Sequence, residues 1–246
     1  MSAADRRWLT RQALGLALAA LLLLAAFENT ALDVALSRQF FDAAAQRLPW
    51  QHHWLLADVL HHGLKTASCA LAIPALALCW FGSRGRLAWL PPRNAWLAGI
   101  GMALIPLLTT ALKQMTNRHC PWDVIEFGGY APYVSLFATT PPDLARGACF
   151  PAGHASGGFV WLIWALALFN TRPAAARRIL AGALAAGAVM GLARIVQGAH
   201  FVSHVLWSAW LAWAVGIALA AWLRVPLAGK APVARGSPAV ARIQGI

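Results

Sequence analysis

Residues 8–27 read WLTRQALGLALAALLLLAAF, an apolar run with one charged side chain, that of Arg11. An α-helix rises about 1.5 Å per residue, so about 20 apolar residues cross a hydrocarbon core about 30 Å thick. Five further apolar runs follow, at 56–81, 95–112, 155–169, 179–196 and 202–223. The sequence therefore predicts an all-α, polytopic membrane protein built as a bundle of six transmembrane helices.

The composition excludes a soluble protein. Of the 246 residues, 60% are hydrophobic and 11% are charged, whereas a soluble domain has about 25% charged residues. The net charge of +12 would suit a nucleic-acid partner, but the basic residues are spread over four short segments and form no single stripe. We therefore expect no nucleic-acid partner and attribute the positive charge to membrane orientation.

The basic residues also predict which connections are cytoplasmic, because Lys and Arg concentrate on that side of a membrane. They cluster at the N-terminus, in the second and fourth connections and after the last helix: Arg6, Arg7, Arg11, Arg84, Arg86, Arg93, Arg172, Arg177, Arg178, Arg224, Lys230, Arg235 and Arg242. We predict a bacterial inner-membrane protein with both termini in the cytoplasm. We expect residues 1–225 to form the six-helix domain and 226–246 to form a disordered cytoplasmic tail.

The start of the fourth predicted helix has the features of an anion-binding site. Residues 151–158 read Pro-Ala-Gly-His-Ala-Ser-Gly-Gly, and a helix beginning there exposes unpaired amide groups and the positive end of its dipole. Backbone donors at Gly153, the hydroxyl of Ser156 and a proton from His154 could serve a bound phosphoryl group. The alternative interpretation is an ordinary helix cap with small residues for close packing.

A second group of polar residues precedes the last helix, where Arg194, His200 and His204 follow one another at intervals of six and four residues. Residues four apart share a face of a helix, so the second imidazole can hydrogen-bond the first. The planar fork of Arg194 suits phosphate oxygens. The alternatives are an arginine that extends to the membrane interface beside a structural histidine pair, and two zinc ligands.

Between Lys113 and His204 the chain resembles the type 2 phosphatidic acid phosphatase superfamily of membrane enzymes. That family has a lysine with Arg-Pro seven and eight positions on, a Pro-Ser-Gly-His segment, and an arginine followed by His at six positions and Asp at ten. Lys113 with Pro121, the segment 151–154, and Arg194 with His200 match in order and spacing. The resemblance also fits the six-helix layout.

The resemblance implies a membrane phosphatase whose site lies at the periplasmic face and needs no metal or cofactor. His200 would form a phosphohistidine and His154 would protonate the leaving oxygen. Lys113, Arg118 and Arg194 would neutralise the phosphate. The expected substrate is a membrane lipid that carries a phosphate or a diphosphate.

Three residues depart from the family's pattern. Cys120 replaces the arginine of the first motif, Ala152 replaces a phosphate-binding serine, and His204 replaces the aspartate that orients the nucleophile. We expect Arg118 and Ser156 to supply the lost phosphate contacts, and a neutral His204 to fix the tautomer of the nucleophilic histidine.

Cys120 and Cys149 both lie in the third connection, beside the first two motifs. An oxidising periplasm favours a disulfide between them. Such a bridge would bring the first motif close to the fourth helix. The other two cysteines lie in the second predicted span and are expected to be small core residues.

Two further function classes stay open beside the hydrolase. Four histidines surround the start of the second helix: His52, His53, His61 and His62. They suggest a metal-binding or transport protein, although an interfacial belt with Trp50 and Trp54 is the simpler interpretation. The phosphohistidine could also pass its phosphate to a second lipid, and a chain that has lost catalysis could still bind lipid.

Overall fold

The structure of the chain, a computed structural model, describes residues 1–138 and 143–228. The named elements of the described residues are all helices, and no strand is among them. The main helices are α1 (Ala3–Phe27), α2 (Leu32–Ser37), α3 (Leu64–Ser83), α4 (Pro92–Met115), α5 (Gly153–Phe159), α6 (Leu162–Ala167), α7 (Pro173–Val196) and α8 (Val202–Trp222). A π-helical segment, Leu55–Gly63, leads directly into α3.

Five segments are long and apolar enough to cross a membrane: α1, Leu55–Ser83, α4, α7 and α8. They match five of the six predicted spans, so this is a multi-pass membrane protein. The remaining span, predicted at 155–169, forms α5 and α6, which are separated at Val160 and Trp161. Around this break amides bond the carbonyl three residues back, as in Trp164 N to Trp161 O at 3.1 Å. This is the tighter 3-10 pattern.

The short helices α5 and α6 lie inside the bundle. At about 1.5 Å per residue they extend about 22 Å in total, less than a hydrocarbon core of about 30 Å. Every residue from Leu162 to Leu168 is buried. Five of the six predicted spans are therefore long helices, and the sixth, which forms the short buried helices α5 and α6, is not confirmed as a membrane span.

Small residues allow the closest helix contact, between α5 and α7. A Cβ added to Gly158 would lie 2.4 Å from the amide nitrogen of Gly187, so the two backbones touch as in other membrane helix pairs. Large apolar side chains such as Leu14, Ile73 and Leu107 point away from the bundle and are exposed. In a bilayer these side chains contact lipid tails.

The two ends of the described chain meet at one end of the bundle. The Asp5 carboxylate is buried and accepts hydrogen bonds from the amides of Leu227 and Ala228, each at 2.8 Å. Residues 226–228 of the predicted tail are thus packed against α1. The remainder of that tail, 229–246, lies outside the described residues.

The opposite end of the bundle carries the long connections. Residues 28–54, 116–152 and 197–201 lie there, beside the C-terminal ends of α4 and α7 and the N-terminal ends of α5 and α8. Leu48 of the first connection packs against Gly198 of the last, within 2.3 Å of where a Cβ would stand. Gly198 has a φ of +71°, a left-handed conformation that glycine adopts without strain. This end therefore gathers the motifs that the sequence singled out.

Candidate active site

A cavity of about 530 Å³ lies between α3, α4 and α5 at this end of the bundle. Four of the predicted site residues line it together: Lys113, Gly153, His154 and Ser156. Two independent stretches of chain, the end of α4 and the start of α5, thus meet across one space. The cavity is large enough for a lipid headgroup.

Lys113 points toward the first residues of α5. Its Nζ atom lies 3.8 Å from the position that a Cβ on Gly153 would occupy. Because Gly153 has no side chain, the ammonium group can approach the backbone where the helix begins. Ser156 lies one turn further along and is buried, with its Oγ atom 3.0 Å from Oγ1 of Thr109.

Arg194 lies in the last turn of α7, outside the lining of this cavity but within electrostatic range of His154. Its Nη1 atom donates to Oε1 of Gln197 at 2.7 Å, and its Cζ atom lies 5.3 Å from the centre of the Trp122 ring. These contacts hold the guanidinium group in place. The buried Nε atom has no hydrogen-bond partner among the described residues, so it remains available as a donor.

His200 lies in the short turn between α7 and α8 and is 4% exposed. Burial, reinforced by the charges of Lys113 and Arg194, lowers the pKa of its imidazole well below the usual range. The ring is therefore neutral at physiological pH. Its Nδ1 atom lies 3.3 Å from Sγ of Cys149, and a proton on Nδ1 leaves the lone pair on Nε2, as a nucleophile requires.

A disulfide joins Cys120 to Cys149 with an S–S distance of 2.04 Å. This bond, which was predicted from the sequence, fixes the loop after α4 to the segment that enters α5. The two sulfur atoms and His200 form the one group of three metal-ligand types within 4.8 Å among the described residues. Disulfide sulfurs are not thiolates, so this group is not built to hold a metal ion.

His204 does not make the predicted hydrogen bond to His200. The two ring centres are 5.8 Å apart, and neither nitrogen of His204 has a partner among the described residues. The ring is fully buried and packs edge-on against Phe150 and Phe201, at 5.3 and 5.4 Å. The contact to His200 Nδ1 comes instead from Cys149.

Arg118 is not free to bind phosphate in this structure. Its Nη1 atom donates to Oε1 of Glu28 at 3.0 Å, and Nη2 donates to the Tyr133 hydroxyl at 3.1 Å and lies 3.7 Å from Oδ2 of Asp33. The side chain is buried beneath the connections. The predicted replacement of the family's first-motif arginine by Arg118 is therefore not supported.

The acids of this buried network were not singled out in the sequence. Burial raises the pKa of the Asp33 carboxyl, although Ser203 and Arg118 act in the opposite direction. Burial beside Asp33 also raises the pKa of the Tyr133 phenol to about 12. Asp33 accepts from the amide of Ser203 at 3.0 Å and from its hydroxyl. It therefore caps the start of α8, close to His200, from a segment 170 residues away.

Two of the histidines around the start of the second predicted helix, His53 and His61, lie in different surroundings. His53 packs between Trp50 and Trp54, with ring centres 5.2 and 6.2 Å away, as predicted for an interfacial belt. His61 instead contacts the cavity histidine, with its ring centre 3.8 Å from that of His154. The π-helical segment that carries His61 could not be recognised from its sequence.

The fold resembles that of a solved membrane enzyme. The crystal structure of a transmembrane PAP2-type phosphatidylglycerolphosphate phosphatase from Bacillus subtilis superposes with a TM-score of 0.54 and 22% sequence identity, covering 85% of this chain and 94% of that one. No curated protein gives a match to the chain. The model of the PAP2 superfamily matches residues 94–226, more than half of the sequence. The match includes α4 to α8 and all the motif residues, and the chain therefore belongs to the PAP2 superfamily.

Proposed function

We propose that this protein is a membrane phosphatase that hydrolyses a lipid phosphate or diphosphate through a phosphohistidine at His200. The observation that carries the proposal is the position of His200, which is buried in the turn between α7 and α8 with its amide bonded to the carbonyl of Arg194 at 3.3 Å. Phosphoryl transfer needs positioned cations around the transferred group more than it needs other chemistry. Lys113 and Arg194 supply those cations at one end of the bundle.

In the first step, Nε2 of His200 attacks phosphorus, and a P–N bond forms while the P–O bond to the lipid breaks. The leaving oxygen takes a proton from the imidazolium form of His154, which lines the same cavity as Lys113. In the second step, water attacks the phosphohistidine and gives its proton to His154. The P–N bond breaks and inorganic phosphate leaves.

The neutralisation of the phosphate is assigned to Lys113 and Arg194 in both steps. The side chain of Arg194 retains a donor at Nε, and Lys113 faces the entry to α5. Ser156 is assigned as a further hydrogen-bond donor in the cavity wall. Gly153, which has no side chain, leaves room for the anion. His204 is assigned to packing around the nucleophile.

An apolar groove favours a lipid as substrate. It has a volume of about 310 Å³, runs between α3 and α7, and continues the cavity through shared lining residues, among them Gly157, Trp161 and Met190. Leu64, Leu71 and Ile179 line the remainder together with small residues of α7. An acyl or prenyl chain can lie here while its headgroup occupies the polar cavity.

The candidate lipids are phosphatidate, phosphatidylglycerol phosphate, undecaprenyl diphosphate and a lipid A phosphate. Phosphatidylglycerol phosphate has additional support from the named activity of the structural neighbour. The positive-inside rule supports a site on the periplasmic side of a bacterial inner membrane, because the basic residues lie in the connections at the other end of the bundle. A lipid-to-lipid phosphotransferase would use the same first step with a lipid acceptor.

The decisive experiment measures phosphate released from a panel of these lipids by purified protein and by His200→Ala. His52→Ala is the matched control, because His52 is exposed in the same half of the molecule. We expect the loss of at least about 10³-fold in rate for His200→Ala and no change for the control. Equal release by the two variants would reject the assignment. Labelled phosphate that appears in a second lipid would identify the transferase, and inhibition by a chelator would favour the metal-binding class.

A further inference from the structure

One charged residue of the cavity has no role in this mechanism. Lys65 lies in the membrane-spanning segment Leu55–Ser83, is exposed, and lines the cavity from α3. An ionisable side chain within a membrane span is costly and usually has a function. Lys65 forms no ion pair within the described parts of the chain.

His61 accompanies Lys65 one turn earlier. The π-helical segment Leu55–Gly63 directs the ring of His61 onto His154, with ring centres 3.8 Å apart. Such segments are frequent at functional sites, because the wider turn changes the direction of a side chain. The Nε2 atom of His61 is buried and has no hydrogen-bond partner in the described structure.

The charges around the cavity are not balanced. Lys65 interacts electrostatically with both His61 and His154, as does Arg194, and Lys113 adds a third positive charge. None of the described residues that line the cavity is Asp or Glu. One phosphoryl group between Lys113 and Arg194 would leave the ammonium group of Lys65, on α3, without a counter-charge.

We propose that Lys65 and His61 form a second anion subsite, which holds the inner phosphate of a lipid diphosphate. This inference rests on the proposed function and selects the substrate class for it. His200 attacks the terminal phosphorus, the bridging P–O bond breaks, and the leaving group is a lipid monophosphate. Lys65 and His61 hold the nonbridging oxygens of this monophosphate, and His154, whose ring contacts that of His61, supplies the proton to the bridging oxygen.

The subsite makes a specific prediction about Lys65→Met. Farnesyl diphosphate and farnesyl phosphate are suitable probes, because they share a prenyl chain and differ by one phosphoryl group. We expect KM for the diphosphate to rise about 10-fold or more, as for a lost charge-assisted hydrogen bond. We expect KM for the monophosphate to change by less than about 2-fold, since it does not reach Lys65.

Thr66→Met is the matched control, because Thr66 is exposed, adjacent in sequence and absent from the cavity wall. The measured quantity is the ratio of the two KM values in one preparation. A partly misfolded sample does not alter this ratio. The variant Lys65→Gln repeats the test. Equal changes for both probes, or none, would overturn the subsite. Binding of each probe, followed by tryptophan fluorescence, separates the two claims. A preference that depends on Lys65 without any hydrolysis rejects the proposed activity alone.

Discussion

Replacing Arg118 by methionine tests whether this residue holds the connections together or binds the substrate. The guanidinium group is 2% exposed and is paired with Glu28 at 3.0 Å and with Asp33 at 3.7 Å. Arg118→Met keeps most of the side-chain volume and removes the charge. Two carboxylates then remain buried without a cation.

The size of the effect follows from this burial. Removal of one partner from a buried ion pair costs about 3 to 5 kcal/mol. For a chain of this size, 1 kcal/mol corresponds to about 2 to 4 °C in Tm, so we expect Tm to fall by about 6 to 20 °C. Burial already raises the pKa of Asp33, and the loss of Arg118 raises it further. The destabilisation should be largest at neutral pH and should shrink as the carboxyl protonates at acidic pH.

The assay is thermal unfolding in detergent, followed by the fluorescence of the 13 tryptophans, together with KM for a lipid phosphate. Arg38→Met is the control, because Arg38 is exposed in the same connection as Asp33. If Tm for Arg118→Met stays within about 2 °C of the control while KM rises strongly, Arg118 is a phosphate ligand. The structural role described above would then be wrong.

Three other perturbations have defined outcomes. Serine at both Cys120 and Cys149 should lower the free energy of unfolding by about 3 to 4 kcal/mol in the chain-entropy model, because the bridge spans 29 residues. A reductant should lower Tm of the wild type to that of the variant. An unchanged Tm in both samples would contradict this. Gly182→Leu introduces a side chain into open space in the apolar groove. This variant should slow turnover of long-chain lipid phosphates at least about 5-fold relative to short-chain analogues, or ~1 kcal/mol. The control Gly15→Leu, also in open space, should not. Equal slowing of both chain lengths would exclude the groove as the site of the lipid tail. Burial beside two cations lowers the pKa of His200 well below 6.5, so phosphoenzyme formation should persist below pH 6.5. Acid should destabilise the fold, since only the unfolded state takes up the proton. A rate that falls at or above pH 6.5 because of this histidine would refute the assignment.

The sequence predicted the elements whose signals are local. The apolar run at 202–223 corresponds to α8, Val202–Trp222, and that at 179–196 lies within α7, Pro173–Val196. Lys113 and His154 were expected to meet, and they line one cavity. Length, hydropathy and motif spacing are sufficient for such predictions, because each depends on residues that are close in the chain or on a recognised pattern.

Features that depend on distant pairing were not predictable in this way. Arg118 has the charge of a phosphate ligand, but its role is set by Glu28, 90 residues earlier in the chain. His61 reads as an interfacial histidine until the π-helical turn places it against His154. The break at Val160 and Trp161 lies within an unbroken apolar run, where hydropathy carries no information about hydrogen-bond register.

The contact between Asp5 and the last described residues has a consequence for biosynthesis. The Oδ2 atom of Asp5 accepts from Ser2, three positions away, so that contact needs only the first turn of α1. The Oδ1 atom accepts from the amides of Leu227 and Ala228, which follow Asp5 by 222 and 223 residues. The helix α1 therefore obtains these partners only after α8 has been synthesised, so this contact forms late in the assembly of the bundle.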